Sequence, residues 1–445
     1  MWIACSDPCA GVECSSGNIP SQVSAFFGSE SIESEQESST YIVPDGNIVG
    51  FDALGNNWSI AIKNGLFIGI PNLGIVLRVE YTQTQIENQN LISSSETNIA
   101  YGAKISLLSG SDTSYLVVAA PRYQQSLWQQ GAVYILSEDG STQHTLITGT
   151  SVQEQLGDHI YRCADLDGDN IEDALLASSL FGGSLNNEDN PSLAGRVYIA
   201  NSSQWLTFGE SSSASQLPYI DGESIGARLG YDARCSEDID GDNEIDIIVS
   251  SPFADSSTLD ASGVIYVLPK DNPNIENAIF RLQGTTSNSW LGWSIATGDF
   301  DGDKHIDIAA GAPGENNALG SVYIWRGADL LERQTSPTIE FRSDTSRIGT
   351  KVEMGDINGD GVDDLFISEI KGDSTEHSEA QSGITHVFFG SEDSSAYSGI
   401  QSLDSANIRF SIPISNALFG REIAFADLNQ DNIEDVIFLH NAENQ

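Results

Sequence analysis

Short apolar runs recur along the whole chain, and turns rich in Asp, Asn, Ser and Gly separate them. Runs such as Asp246–Ser251 (DIIVSS), Gly263–Pro269 (GVIYVLP) and Asp307–Ala312 (DIAAGA) are rich in Val, Ile and Ala. Continuous apolar runs of this length between turn residues are typical of buried β-strands. No long stretch of the sequence keeps the period of an amphipathic helix. The pattern therefore predicts an all-β fold with no room for crossover helices.

A larger unit repeats at uneven spacing along the chain. It starts with an apolar residue and Gly, and continues with a short strand, an acidic loop, a second apolar strand and a Gly-x-Val/Ile-Tyr strand. Two further copies, near residues 54–71 and 101–121, keep the hairpin but lack the acidic loop. Seven such units of four strands favour a seven-bladed β-propeller over a solenoid, which would need polar caps. The clearest copies begin at Leu156-Gly157, Leu229-Gly230, Leu291-Gly292, Ile348-Gly349 and Phe419-Gly420.

The last unit stops after its second strand, and its missing strands are expected near the start of the chain. Residues 21–30 (SQVSAFFGSE) resemble residues 383–392 (GITHVFFGSE), which form the predicted third strand of the sixth unit. Tyr41–Val43 is the predicted fourth strand. We therefore expect residues 21–445 to form one propeller whose C-terminal blade is completed by N-terminal strands, after a Cys-containing segment at residues 1–20.

Each acidic loop places oxygen-bearing side chains at relative positions 1, 3, 5 and 9, which is the spacing that a hard cation needs. Calcium takes six to eight oxygen ligands, and a backbone carbonyl at position 7 supplies one of them in EF-hand-like loops. An ion-free turn rich in Asp and Gly is the alternative. The recurrence of the loop at one place in the repeat favours a metal, and we expect up to five structural Ca²⁺ ions.

The predicted ligands follow from this spacing. Asn replaces Asp at position 3 of the last two loops, which keeps the oxygen but removes a charge, so we expect weaker binding there. The predicted side-chain ligands are Asp165, Asp167, Asp169 and Asp173; Asp238, Asp240, Asp242 and Asp246; Asp299, Asp301, Asp303 and Asp307; Asp356, Asn358, Asp360 and Asp364; and Asp427, Asn429, Asp431 and Asp435. The predicted backbone ligands belong to Ile171, Glu244, His305, Val362 and Ile433.

Charge and motifs restrict the function classes. The chain has 64 acidic and 19 basic residues, which gives a formal net charge of −45. Nucleic acid and anionic membrane surfaces would be repelled, whereas cations and basic partners would be attracted. The six His residues form no HExxH pair. We therefore expect neither a nucleic-acid-binding protein nor an enzyme.

The five cysteines fall into two groups. Cys5, Cys9 and Cys14 crowd the N-terminal segment, where Trp-Ile-Ala-Cys5 resembles the end of a lipoprotein signal. Cys5 is therefore a candidate for lipidation, and a disulfide or a free thiol is the alternative. Cys163 and Cys235 each precede an acidic loop in neighbouring units. A disulfide between them and two separately buried thiols are both open from the sequence.

These motifs resemble the FG-GAP family, whose repeats build the seven-bladed β-propeller of integrin α subunits and many bacterial surface proteins. The apolar–Gly pairs correspond to "FG", and Ala310–Pro313 (AGAP) corresponds to "GAP", with Val118–Pro121 and Ile68–Pro71 as looser versions. The resemblance covers about residues 20–445. It implies calcium in the acidic loops on one face and ligand contact on the opposite face. No inserted metal-dependent ligand domain and no leg domains are visible, so integrin-type recognition cannot be transferred.

The resemblance directs the search for a ligand site to the long loops between second and third strands. Tyr123 and Trp128 are aromatic candidates for stacking on a sugar or anchoring a protein partner, although packing beneath their own loop is the simpler interpretation. The leading hypothesis is an extracellular, calcium-binding propeller that binds a protein or glycan. An enzyme acting on polysaccharide or phosphoester and a purely structural envelope component are the alternatives. The candidate loops are residues 121–131, 180–195, 252–263 and 369–383.

Overall fold

The computed structural model of the chain is all-β. Its described residues form strands β1 to β31 and three short helices, α1 (Ser202–Trp205), α2 (Glu315–Ala318) and α3 (Gly327–Leu331). Among them, no helix has the length and hydropathy that crossing a membrane would require. The structure describes residues 21–26, 39–42, 50–51, 59–62, 66–71, 73–81, 86–96, 99–110, 113–182, 193–235, 237–256, 258–344, 347–370, 382–393, 395–411, 418–427 and 433–441.

The strands form seven sheets of four antiparallel strands each, numbered I to VII by their first strand, and three sheets carry one added strand. Sheet I contains β4 (Ser59–Ile62), β5 (Leu66–Ile70), β6 (Ile75–Tyr81) and β7 (Ile86–Ser93). Sheet II contains β8 (Ile105–Ser109), β9 (Ser114–Ala120), β10 (Ala132–Ser137) and β11 (Gln143–Thr148). Sheet III contains β12 (His159–Arg162), β13 (Ala174–Ser178), β14 (Arg196–Ala200) and β16 (Tyr219–Asp221).

The remaining sheets repeat this order of strands. Sheet IV contains β17 (Ala233–Arg234), β18 (Asp246–Ser251), β19 (Val264–Pro269) and β20 (Phe280–Gln283). Sheet V contains β21 (Ile295–Gly298), β22 (Asp307–Ala312), β23 (Ser321–Trp325) and β24 (Ile339–Arg342). Sheet VI contains β25 (Val352–Gly355), β26 (Asp364–Glu369), β27 (Ile384–Phe388) and β29 (Ile408–Ser411). Sheet VII contains β30 (Glu422–Ala426), β31 (Asp435–Asn441), β1 (Ser21–Phe26) and β3 (Gly50–Phe51).

Sheet VII joins the two ends of the described chain. Strand β1 pairs antiparallel with β31, from Ser21 opposite Asn441 to Phe26 opposite Val436. This is the pairing that the likeness between residues 21–30 and 383–392 predicts. The second N-terminal strand was predicted at Tyr41–Val43, and that prediction is wrong. The fourth strand of sheet VII is β3.

The strand near Tyr41 lies in a connecting segment of a kind that recurs in three sheets. Strand β2 (Ser39–Ile42) pairs in parallel with β29, the outer strand of sheet VI. Strands β15 (Ser212–Ser213) and β28 (Gly399–Ser402) do the same with β11 of sheet II and β24 of sheet V. In all three cases the segment between the third and fourth strands of one sheet covers the outer edge of the preceding sheet. An uncovered outer edge would expose unpaired backbone groups, which explains why β2 lies there.

The core lies between neighbouring sheets. Each of six buried apolar clusters takes side chains from two consecutive sheets, starting with sheets I and II and ending with sheets VI and VII. Every residue of β18, β22 and β26 is buried, because both faces of these strands are covered. The continuous apolar runs of the sequence are thereby explained. The first strands are also neighbours: β4, β8, β12, β17, β21, β25 and β30 contact one another in that order, and β30 contacts β4.

The glycines of the apolar–Gly pairs allow this close packing. Gly292 has φ of 84°, and a Cβ there would lie 2.7 Å from Cβ of Ser250 in sheet IV. Its N–H also donates to the carbonyl oxygen of Gly311 at 3.0 Å. A Cβ at Gly311 would in turn lie 1.9 Å from the carbonyl oxygen of Gly349, which precedes sheet VI. Gly292 is therefore required by close contact with a side chain of the preceding unit, and Gly311 by backbone contact with the next unit.

A disulfide bond links sheets III and IV. Cys163 follows β12, Cys235 follows β17, and their Cα atoms are 4.8 Å apart. Both residues are buried. The structure thus selects the disulfide from the two alternatives that the sequence leaves open. Cys5, Cys9 and Cys14 lie outside the described residues.

Removing the N-terminal strands should destabilise the protein. Deletion of residues 1–51 takes away β1, β2 and β3 and leaves an edge of β31 unpaired, so we expect a lower melting temperature and aggregation. Size-exclusion chromatography and thermal unfolding measure both effects. Deletion of residues 1–20 is the matched control and should leave both unchanged. Equal behaviour of the two truncations would show that β1 is dispensable.

Removing the disulfide should also destabilise the fold. Cys163 and Cys235 are 72 residues apart, and the chain-entropy model gives a loss of about 4 kcal/mol for a loop of that size. Denaturant unfolding of the double variant Cys163→Ala/Cys235→Ala measures the loss. Reduction should destabilise the wild type by a similar amount and leave the variant unaffected. A wild type that unfolds identically with and without reductant would contradict the expectation.

Candidate metal centres

Four of the five acidic loops lie fully within the described residues, and they share one backbone conformation. They join the first strand to the second in sheets III, IV, V and VI. The carboxylate at position 1 accepts the N–H of position 6, at 2.7 Å from Asn170 N to Asp165 Oδ2 and at 2.9 Å from Lys304 N to Asp299 Oδ2. The residue at position 6 has φ between 66° and 84° in all four loops. The same left-handed turn therefore draws the carboxylates of each loop towards one point.

Three loops gather carboxylates closely enough to share a cation. In each of these groups, one oxygen from every carboxylate lies within 4.8 Å of the others. Three oxygens at such distances are suited to a hard divalent cation, which completes its shell with further oxygens or water. The three groups are Asp165, Asp167 and Asp173; Asp238, Asp240 and Asp246; and Asp299, Asp301 and Asp303.

Buried oxygens without a partner support a cation at two of these groups. Oδ1 of Asp240, Oδ1 of Asp299 and Oδ1 of Asp301 are buried and have no hydrogen-bond partner among the described residues. A buried acceptor without a partner costs free energy, and the cost is larger for a charged group. A calcium ion would satisfy these oxygens. The residues of these loops therefore fit the ion that the sequence predicts.

The aspartate at position 9 has a second role that the spacing alone does not reveal. Asp307 is fully buried at the start of β22. Its Oδ2 accepts the N–H of Phe300 at 3.1 Å, and its Oδ1 accepts the N–H of Gly327 at 2.7 Å. Phe300 belongs to the acidic loop, whereas Gly327 follows the third strand. One carboxylate therefore ties the metal loop to two strands of its sheet.

The equivalent aspartates repeat this arrangement. Asp364 accepts N–H groups from Ile357 at 3.3 Å and Gly390 at 3.0 Å. Asp173 does so from Leu166 at 2.8 Å and Ser202 at 2.6 Å. Sequence reasoning missed the partners Ser202, Gly327 and Gly390, because each lies beyond the third strand. Asp246 and Asp435 are buried at the same position in sheets IV and VII.

Burial makes these carboxylates reluctant to ionise when no cation is nearby. Burial first, and the charges of Asp301 and Asp303 second, raise the pKa of Asp307 to about 8. Burial likewise raises the pKa of Asp364 to about 8. The pKa values of Asp173 and Asp246 rise to about 6, again mainly through burial. A divalent cation would favour the ionised form, so its binding and the folding of the loop are coupled.

The acidic loops differ in the side chains that contact their carboxylates. Asp301 Oδ2 lies 3.1 Å from Nε of Arg326, so this group already has one cation beside it. In the first loop, the hydroxyl of Ser202 donates to Asp169 at 2.7 Å. The fourth loop has Asn358, whose amide nitrogen is 3.5 Å from Asp364 Oδ1. These contacts predict different affinities in the different loops.

The whole predicted ligand set stays a prediction. Asn429 and Asp431 of the fifth loop lie outside the described residues. The backbone carbonyls at position 7 also stay a prediction, although each position-7 N–H in the described loops donates to the carboxylate at position 5. An example is His305 N to Asp303 Oδ1, at 2.8 Å.

Comparisons with known proteins agree with this arrangement of motifs. Residues 291–325, which span β21, β22 and β23, match the FG-GAP repeat family. The chain is 30% identical to integrin alpha-4 of Xenopus laevis over 191 residues, which is 40% of this chain and 17% of that protein. It is 35% identical to integrin alpha-PS2 of Drosophila melanogaster over 97 residues, which is 21% of this chain and 6% of that protein.

Residues 291–325 therefore match an FG-GAP repeat. The chain is also 29% identical to a phosphatidylinositol-glycan-specific phospholipase D of Dictyostelium discoideum over 241 residues, covering 46% of this chain and 24% of that protein. Among solved structures it resembles a chain of Kuenenia stuttgartiensis hydrazine synthase, with 11% identity and a TM-score of 0.43 over 75% of this chain and 84% of that one. The chain thus spans less than a quarter of the length of the curated relatives named here.

The two aromatic candidates in the predicted ligand loops differ in their exposure. Tyr123 is buried and packs edge-on against Tyr134, so it is a packing residue. Trp128 is 50% exposed. Residues 183–192 and 371–381, in the middle of two candidate loops, lie outside the described residues.

A charge network that the sequence analysis missed links the first strands. Arg234 Nη1 is 2.8 Å from Asp232 and its Nη2 is 3.0 Å from Glu353, which Lys351 approaches at 2.5 Å. Glu422 lies between Lys351 at 3.9 Å and Lys104 at 3.5 Å. We call these six side chains the ion-pair belt. They sit in or just before β8, β17, β25 and β30, so aligning the first strands of the repeat would have revealed them.

Two variants in the third acidic loop should separate metal binding from packing. Asp307→Ala removes two buried hydrogen bonds, so we expect a loss of about 2 kcal/mol or more with and without calcium. Asp303→Ala removes one exposed carboxylate of the candidate metal group and an exposed hydrogen bond from His305 N–H, so it should reduce mainly the stabilisation that calcium adds. Denaturant unfolding in calcium and in EGTA measures both. Identical profiles for the two variants would contradict separate roles.

Proposed function

We propose that this protein is a calcium-stabilised, extracellular β-propeller of seven blades that binds a protein or glycan ligand. In this arrangement sheets I to VII are the blades, and calcium occupies the acidic loops on one face. Ligand binds the opposite face. The observation that carries the proposal is the recurrence of one acidic loop geometry between the first two strands of consecutive sheets.

The contacts between sheets support the propeller. The first strands are neighbours in chain order, and the last of them contacts the first. Six apolar clusters fill the spaces between consecutive sheets. Sheet VII contains strands from both ends of the chain. A radial arrangement accounts for all three observations, since it gives every sheet two neighbours and leaves only short outer edges.

A structural role suits the proposed calcium. The loop oxygens form compact groups at the ends of hairpins, and the position-9 aspartates tie each loop to its own sheet. Calcium bound there neutralises carboxylates whose ionisation burial disfavours. The ion therefore favours the folded hairpin over the unfolded chain. Five ions would reduce the net negative charge by about 10 through their double charges.

The disulfide supports an extracellular location. Disulfide bonds persist in oxidising compartments and are rare in the reducing cytosol. The bond between Cys163 and Cys235 joins two sheets through buried sulfurs. Relatives named integrins point the same way by similarity.

The ion-pair belt supports a role other than catalysis. Burial alone would raise the pKa of Asp232, but Arg234 and Lys351 hold it below its usual value. Glu422 is held low in the same way by Lys104 and Lys351. Carboxylates paired in this manner are poor general acids at neutral pH. The belt therefore serves to join first strands rather than to transfer protons.

A second candidate is a part in phosphoester cleavage. Its support is the similarity to proteins named phosphatidylinositol-glycan-specific phospholipase D, which covers less than half of this chain. Under that proposal, the chain would act on a phosphoester or present one to a catalytic partner. The two candidates differ in whether a phosphoester is consumed.

Calcium removal should lower the stability of the protein. We expect EGTA to decrease the melting temperature and added CaCl₂ to restore it, because an ion that binds only the folded form stabilises that form by mass action. Differential scanning calorimetry measures the shift, and calorimetric titration gives the number of ions. Magnesium at the same concentration is the control and should restore less. An unchanged melting curve after complete metal removal would refute the calcium proposal.

Ligand binding and turnover separate the two candidates. The first expects saturable binding to extracellular proteins or glycans with no product formed. The second expects release of a soluble headgroup from a phosphatidylinositol-glycan substrate. The second proposal would replace the first if the pure chain releases the headgroup and a folded variant of the chain does not.

A further inference from the structure

Four aromatic side chains from two neighbouring sheets form a continuous patch. The ring centroids of Tyr231 and Trp293 are 4.8 Å apart, those of Phe253 and Trp290 are 6.2 Å apart, and those of Trp290 and Trp293 are 5.8 Å apart. All four rings are partly exposed. Two arginines lie on their faces. We call this set the aromatic sector: Tyr231, Phe253, Trp290, Trp293, Arg228 and Arg347.

The aromatic sector lies at the ends of the strands that are opposite the acidic loops. Tyr231 and Trp293 each come two residues before a first strand, and Phe253 comes two residues after the second strand of sheet IV. In an antiparallel hairpin, the start of the first strand and the end of the second lie side by side at the open end of the hairpin. The acidic loops connect these strands at the closed end. A ligand on the aromatic sector would therefore not compete with calcium.

The arginines of the sector keep most of their donors available, although Nε of Arg347 donates to the carbonyl oxygen of Ala318 at 3.2 Å. Cζ of Arg228 is 5.1 Å from the centroid of Phe253, and Cζ of Arg347 is 5.9 Å from that of Trp290. Neither guanidinium forms an ion pair with a carboxylate of the described residues, although acidic residues outnumber basic ones more than threefold. A guanidinium stacked on a ring still presents its planar set of N–H groups, which matches the two oxygens of a carboxylate.

The repeat explains how these side chains come together. Arg228, Trp290 and Arg347 occupy one position, two residues before the glycine of their apolar–Gly pair. Arg228 and Trp290 have φ of 56° and 57°, as do the equivalent Ala100, Gln155 and Leu418, which have φ between 52° and 57°. The repeat thus fixes the backbone, and three consecutive units supply a cation, a ring and a cation there.

Three acidic residues lie near the sector. Asp255 is in the same loop as Phe253, and its Oδ1 accepts the N–H of Ala261 at 2.7 Å. The charges of Asp158 and Asp232 act on Tyr231, and Asp232 is already paired with Arg234. The large negative charge of the rest of the protein is screened beyond about 8 Å at physiological ionic strength. Short-range contacts with Arg228 and Arg347 therefore decide whether an anion binds here.

We propose that the aromatic sector binds an acidic glycan, meaning an oligosaccharide that carries carboxylate groups. Sugar rings stack through their C–H groups on Trp290 and Trp293, and the carboxylates pair with Arg228 and Arg347. This inference rests on the proposed ligand-binding function and specifies its ligand class and site. Aromatic faces provide the contact area for a sugar, and the two unpaired cations in an acidic protein provide the selectivity for its charge.

The test compares acidic glycans with neutral ones. An array presents uronate- and sialate-containing oligosaccharides, each beside a neutral oligosaccharide of the same length, in buffer with constant calcium. We expect the wild type to retain acidic glycans at least tenfold more tightly than their neutral counterparts. Arg347→Gln and Arg228→Gln should each weaken binding of acidic glycans about tenfold, which is the effect of losing about 1.4 kcal/mol. Trp290→Ala should weaken binding of both kinds.

The chain offers a matched control for the arginine variants. Arg333 is exposed, its Cζ lies 5.1 Å from the ring centroid of Phe280, and its Nη1 donates to a backbone carbonyl, but it follows α3 at the acidic-loop edge. Arg333→Gln should leave glycan binding unchanged. Arg347 is exposed as well, so its variant tests the proposal even if Trp290→Ala fails to fold.

Each outcome has a defined meaning. Loss of acidic selectivity in Arg347→Gln but not in Arg333→Gln supports the proposal. Equal retention of acidic and neutral glycans overturns the acidic-glycan inference but not the ligand-binding function. The same holds if the protein retains no glycan but binds extracellular proteins. Absence of any saturable glycan or protein ligand overturns both.

Discussion

The structure depends on sheet-to-sheet packing that leaves no room for a side chain at the glycines of the repeat. Strands such as β18, β22 and β26 are apolar on both faces, so no sheet could be stable in water alone. Each must be covered on two sides, and the covering sheet must approach within backbone contact at Gly311 and Gly349. This single requirement accounts for the two glycine motifs, the six interfacial clusters and the pairing of β1 with β31.

The acidic loops follow from the same geometry. A hairpin whose two strands are buried on both faces must turn at an exposed end, where polar residues are tolerated. The aspartate at position 9 nevertheless lies at the start of the buried second strand, and Asp307 meets N–H groups from the loop and from beyond the third strand. Its charge is disfavoured by burial. A cation bound by the loop, as we propose, would therefore be coupled to sheet packing through this one side chain.

Sequence patterns predicted three features: periodicity the strand order, aspartate spacing the acidic loops, and the likeness between residues 21–30 and 383–392 the pairing of β1 with β31. They were insufficient wherever a residue's partner belongs to another sheet. Tyr41 was placed in the wrong sheet because β2 pairs with the outer strand of sheet VI. The partner of Cys163 depended on a distance between neighbouring sheets. The second role of Asp307 depended on Gly327, which is distant in the repeat pattern.

The aromatic sector shows how a repeat can produce a unique site. Packing fixes the backbone at Arg228 and Trp290 as it does at Ala100 and Leu418, but it leaves their side chains free to differ. Residues with such freedom at one position in neighbouring units come together in space without any signal in a single unit. The four described acidic loops are alike because one left-handed turn constrains them all. Differences between units are therefore the better guide to a ligand, and the side chains at Arg228, Trp290 and Arg347 are such differences.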